Sequence, residues 1–97
     1  MISIKYNDDG IVITGHSKPE VCASVSSIMY TCVNILEQSD ESCVGFSDNG
    51  DTVTIQFKKD VELVKIVKNV FISELLDLLE TLEEEDKRDC LSVEYIK

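Results

Sequence analysis

The sequence predicts an α+β fold in which strands and helices follow as β-β-α-β-β-α-β, with a mainly antiparallel sheet and two helices. Three observations carry this prediction. Apolar residues alternate at period two in residues 1–6 and again in residues 90–96. Two clusters of turn residues, Asn7-Asp8-Asp9-Gly10 and Asp48-Asn49-Gly50-Asp51, each join segments of strand character that can fold back as hairpins. Two longer segments repeat their apolar residues at helical spacing.

Taken in order, Ile2, Ile4 and Tyr6 alternate with Ser3 and Lys5 to give a first strand. The turn that follows ends in Gly10, where a positive φ is expected. Ile11-Val12-Ile13-Thr14 is β-branched throughout and forms the second strand of the hairpin. Gly15 ends it. Ser17, with Glu20 three residues later, has the pattern of a capping box and is expected to open a helix with Pro19 in its first turn. That helix is expected to run to about Gln38 and to bury Val21, Val25, Ile28, Cys32 and Ile35. Residues 42–47 and 52–58 read as the second hairpin. Asp60 is the expected N-cap of the second helix, which carries Leu63, Ile66, Val67, Val70, Leu75, Leu78, Leu79 and Leu82. Residues 71–79 are apolar on more than one side, as in a helix sandwiched within its own fold or buried against a partner. Glu83-Glu84-Glu85-Asp86 closes the helix, where acids oppose the macrodipole and fraying is expected.

The 97 residues suit one domain, 1–97, with a thin core. Nineteen acids against nine bases give a net charge of −10. Such a surface repels phosphates and anionic lipid, so direct nucleic-acid binding and membrane association are not expected, while a basic protein is attracted. The N-terminus has neither the charged nor the apolar region of a secretory signal, and no apolar run approaches a membrane span. The expected compartment is the cytoplasm, where the four cysteines stay reduced. None of them forms a CxxC pair, so no metal site and no cofactor are expected. Cys32, Cys43 and Cys90 read as small buried apolar residues.

Cys22 is different. It stands near the start of a helix, where the positive end of the macrodipole favours a thiolate and backbone N–H groups can receive an oxyanion. The only histidine, His16, lies just before it at the exit of a strand, and imidazole can take a thiol proton. Ser26 follows one helical turn after Cys22 on the same face, placed to bond a substrate or to steady the site. A helix-borne cysteine beside a histidine also occurs by chance, and a helical serine often bonds back to a carbonyl, so the residues alone leave both readings open.

At these positions the chain resembles the ribosomal-processing cysteine proteases, small bacterial proteins that remove an N-terminal extension from ribosomal protein L27. Gly15-His16-Ser17 matches the family's Gly-His-Ser at the end of a second strand. Val21-Cys22-Ala23-Ser24-Val25-Ser26 matches its Val-Cys-Ala-x-Val-Ser helix start. The order of elements matches as well. The resemblance implies a thiol protease of ribosome biogenesis in which Cys22 is the nucleophile and His16 the general base, with Ser26, Gly15 and Ser17 supporting the site or binding substrate. It further implies a basic substrate, the L27 precursor, and a homodimer. Only five residues separate His16 from Cys22, a shorter connection than the family's, and Pro19 stands where the family usually has an aspartate. The alternative is a non-catalytic, dimeric protein-binding module of the same fold that has lost the substrate loop.

Overall fold

The computed structural model describes residues 1–84 and 89–96. Along the chain run β1 (Ile2–Tyr6), β2 (Gly10–Thr14), α1 (Pro19–Asp40), a 3-10 turn (Glu41–Cys43), β3 (Val44–Asp48), β4 (Thr52–Phe57), α2 (Glu62–Thr81) and β5 (Leu91–Tyr95). The strands form one sheet in the order β3-β4-β2-β1-β5. Every pairing is antiparallel except β1 with β5, where Ile2 faces Leu91 and Tyr6 faces Tyr95 in parallel register. The α+β class and the order of elements are as the sequence predicts.

Side-chain amides and carboxylates close both hairpins. Asn7 Oδ1 accepts the N–H groups of Asp9 and Gly10, at 2.8 and 3.0 Å. Gly10 does not adopt the positive φ expected of it. It already belongs to β2, and it is needed because a Cβ there would run into the Ile55 carbonyl of β4. In the second turn Asn49 Oδ1 accepts from Asp51 and Thr52, and Asp48 Oδ1 accepts from Gly50, whose φ is +94°. These bonds supply locally the partners that the turning backbone lacks.

The start of α1 departs from the capping-box expectation. Lys18 is the N-cap, with ψ of 145°, and no side chain caps it. The cause is Pro19. Its ring drives the preceding residue out of the helical region, so Lys18 stays extended and Pro19 opens the helix at N1. Ser17 is thereby left one residue outside. At the other end α1 extends to Asp40, two residues past the expected end. There Asp40 accepts from Ser42 N–H and Oγ and from Lys59 Nζ, at 3.0, 2.6 and 2.8 Å. These bonds, the lysine's first, hold its carboxyl down at about 2. Likewise α2 begins after Val61, without a side-chain cap, and Asp60 pairs instead with Lys65 at 3.5 Å. Glu83 and Glu84 follow the end of α2, while Glu85 and Asp86 lie outside the described residues.

The core lies between the helices and one face of the sheet. Phe71, Ile4, Ile11, Leu36, Ile55, Leu75 and Leu91 are its fully buried side chains. From α1 it takes Val21, Val25, Met29, Cys32, Val33 and Leu36. Of the expected stripe, Ile28 is only partly buried and Ile35 is exposed. From α2 it takes Val64, Val67, Phe71 and Leu75, with Leu78, Leu79 and Leu82 packed at its margin. Leu63, Ile66 and Val70 face outward, Ile66 being 51% exposed. Among the described residues, therefore, nothing encloses the second apolar face of α2.

Candidate functional site

The site begins with the bend at Gly15. Its φ is +87°, and a Cβ there would strike the Met1 carbonyl of the neighbouring backbone. A residue with a side chain meets both penalties, so glycine is required where β2 gives way to the connection toward α1. His16 follows at once and is exposed. With Pro19 at N1, Cys22 is the fourth residue of α1 and is half-buried.

The Cys22 thiol is engaged with Ser17. The Ser17 N–H donates to Sγ at 3.3 Å, and the thiol donates to the Ser17 carbonyl at 3.4 Å. Among the described residues no hydrogen bond joins the thiol to His16. Of the backbone N–H groups near the start of α1, those of Val21 and Cys22 both bond to the Lys18 carbonyl at 3.0 Å. Ser17, expected as a helix cap, instead holds the sulfur with its backbone N–H and C=O.

Gly15, His16, Cys22 and Ser26 line one cavity of about 160 Å³. Its floor is apolar: Ile2 from β1, Ile13 from β2, Val53 from β4, and Val25 and Met29 from α1. Tyr30 borders it, and the β3–β4 turn adds Asp48, Gly50 and Asp51. Sequence reasoning did not place these turn residues in the site. Their presence follows from the register of β2 on β4, in which Thr14 faces Thr52 and so sets the turn beside Gly15. Ser17 alone of the sequence-predicted group is not part of this lining. It reaches the site through its peptide contact with Sγ.

The remaining thiols differ from Cys22 in setting. Cys32, Cys43 and Cys90 are buried, and all four cysteines are free of disulfides. Burial, reinforced by the nearby Glu74 carboxylate, pushes the Cys32 thiol up from its ordinary value. A larger cavity of about 630 Å³ lies between the β1–β2 turn and the start of α2, but it contains no histidine, cysteine or serine. Three of its four lysines pair with carboxylates, Lys59 with Asp40, Lys65 with Asp60 and Lys68 with Asp8, at 2.8, 3.5 and 3.9 Å. Of these two cavities the smaller is the one lined by histidine, cysteine and serine. Among the described residues no helix is long and apolar enough to cross a membrane, and no group of three or more ligating side chains could hold a metal ion.

No family model matches the sequence, and no curated protein matches it significantly. Solved structures do match in fold. An essential ribosomal processing protease Prp from S. aureus, in complex with a covalently linked product peptide, superposes with a TM-score of 0.79 at 17% identity. That match covers 99% of this chain and 100% of the other. SMU.848 from Streptococcus mutans has a TM-score of 0.71 at 17% identity, over 98% of this chain and 91% of its own. The S. aureus protease in complex with a substrate peptide has a TM-score of 0.69 at 16% identity, over 98% and 97% of the two chains. From its first strand to its last, this chain has the fold of the ribosomal processing protease Prp.

Proposed function

We propose that the chain is one ribosomal-processing protease domain, a cysteine endopeptidase that removes the N-terminal extension of bacterial ribosomal protein L27 in the cytoplasm. The observation that carries this reading is the opening of Cys22, His16 and Ser26 into one cavity at the start of α1, within the Prp fold. Cys22 Sγ attacks the scissile carbonyl while His16 takes the thiol proton. His16 then protonates the leaving amine, and water hydrolyses the thioester that remains. To react, the thiol turns from the Ser17 carbonyl toward the imidazole, and the Ser17 N–H at 3.3 Å is placed to donate to the thiolate. A net charge of −10 suits a basic ribosomal protein as substrate. The outward Leu63, Ile66 and Val70 of α2, with Ile35 of α1, suit a homodimer.

The test is incubation with an L27 precursor, read by mass spectrometry. The wild type should release the extension, and Cys22→Ala and His16→Ala should not. A precursor left intact beside a long-loop relative that cuts it defeats the reading. One observation favours the alternative of a non-catalytic dimeric module: the thiol bonds to Ser17 rather than to His16. That alternative requires Cys22→Ser to leave the biological role untouched.

A further inference from the structure

We infer that the outer edge of β3 is the docking strand on which an extended polypeptide substrate pairs as a sixth strand, laid so that it runs into the Cys22 cavity. The inference rests on the peptidase reading and states how the substrate is held.

The register fixes which backbone groups are free. Lys58 N–H donates to the Cys43 carbonyl, and Asn49 N–H donates to the Thr52 carbonyl. In an antiparallel ladder the bonded pairs alternate, so residues 43, 45, 47 and 49 bond inward to β4. Val44, Phe46 and Asp48 face Phe57, Ile55 and Val53 in the intervening pairs, and their N–H and C=O groups point away from the sheet. β3 is the outermost strand at this end of the sheet, and among the described residues nothing pairs with its outer side. Phe46 and Asp48 are exposed. A row of unpaired donors and acceptors of this kind is a template for another extended chain.

Side-chain direction and position identify the occupant. Alternation puts Val44, Phe46 and Asp48 on one face of the sheet, and the burial of Val44 makes it the helix-covered face. The Phe46 ring accordingly meets Tyr30 of α1 at 5.8 Å between centroids. Asp48 and Tyr30 both line the cavity that holds Cys22 and His16. An added strand would lie against this aromatic pair and pass the thiol at the Asp48 end. The other free edge, β5, contributes nothing to that cavity. Continuity between the β3 edge and the thiol assigns the edge to a peptide that is to be cut. Main-chain pairing tolerates varied side chains, so this mode holds the substrate without demanding a long recognition loop.

The test uses Cys22→Ala protein, which cannot cut, and a synthetic peptide spanning the extension junction of an L27 precursor. Amide hydrogen exchange is followed by NMR with and without the peptide. The N–H groups of Phe46 and Asp48 should slow at least about tenfold on saturation, while those of Gly45 and Ser47, already bonded to β4, should change little. Phe46→Pro removes one outward donor, which an edge strand tolerates, and Phe46→Val keeps it. The proline variant should weaken peptide binding at least about tenfold relative to the valine variant. Chemical-shift changes around the cavity without protection at Phe46 and Asp48 overturn the docking strand and leave the peptidase reading standing. Absence of any binding overturns both. Protection in the free protein that grows with its concentration assigns the edge to a second copy and overturns the proposal.

Discussion

The Cys22 thiol and the Ser17 backbone hold each other, N–H to sulfur at 3.3 Å and thiol to carbonyl at 3.4 Å. This contact exists because Pro19 displaces the helix start to Lys18 and leaves Ser17 at the sulfur. The half-buried Cys22 remains more accessible than the other three thiols, which are 2 to 5% exposed. Iodoacetamide at pH 7.5 should therefore modify Cys22 at least about tenfold faster than Cys32, Cys43 or Cys90. Peptide mapping of a partly labelled sample checks this, and equal rates would count against a reactive Cys22.

Gly15→Ala forces a side chain onto a residue with φ of +87° and against the Met1 carbonyl. The variant should lose about 2 kcal/mol or more of stability, from the left-handed backbone and the displaced strand together. Urea unfolding should show a lower midpoint with an unchanged slope. A wild-type midpoint would mean that the bend is not as tight as described.

Asp40 ties the end of α1 to Lys59 and Ser42, which lowers its carboxyl from 3.8 to about 2. The sign follows from linkage. A carboxyl depressed on folding contributes stability that is complete above its unfolded value and is lost as the pH falls through its folded value. The wild type should therefore be more stable than Asp40→Asn at pH 6, and the difference should shrink below about pH 4 and vanish only below about pH 2. Paired thermal melts across this range check it. A difference that does not vary with pH would exclude the carboxylate as its source.

Ile66 is half-exposed on the outward face of α2, away from the cavity that holds Cys22. If that face joins two copies, Ile66→Glu should convert a species of twice 10.9 kDa into one of 10.9 kDa in sedimentation equilibrium. The variant should keep its helical circular dichroism. A variant that stays at the wild-type mass would move the interface elsewhere.

Local chemistry made most of this architecture legible. The β-branched run 11–14 and the two Asn/Asp/Gly turns mark both hairpins, because turn preference and strand propensity are short-range effects. Gly15, His16, Cys22 and Ser26 were likewise readable, being close in sequence as well as in the cavity. The helix caps were not, because Pro19 overrides the Ser17 cap pattern and Asp60 favours Lys65 over the helix end. The buried stripe of α1 includes Met29, Val33 and Leu36, which lie at helical spacing from Val25 just as Ile28, Cys32 and Ile35 do from Val21, so spacing alone does not choose between the two stripes. Ile28 and Ile35 satisfy that spacing and border the groove toward α2 instead. Asp48, Asp51 and Tyr30 join the site only through tertiary placement, set by the pairing of β2 with β4 and the packing of α1. Such non-local pairing leaves no mark on the segments themselves. The parallel seating of β5 on β1 is invisible for the same reason.

The most direct test of the Cys22–His16 peptidase is the intact mass of the protein, acid-quenched during reaction with an L27 precursor. The account predicts a transient adduct equal to the released extension less one water, mapping to Cys22, absent in Cys22→Ala and not formed in His16→Ala. Release of the extension by Cys22→Ala, or an adduct mapping to another residue, would contradict it.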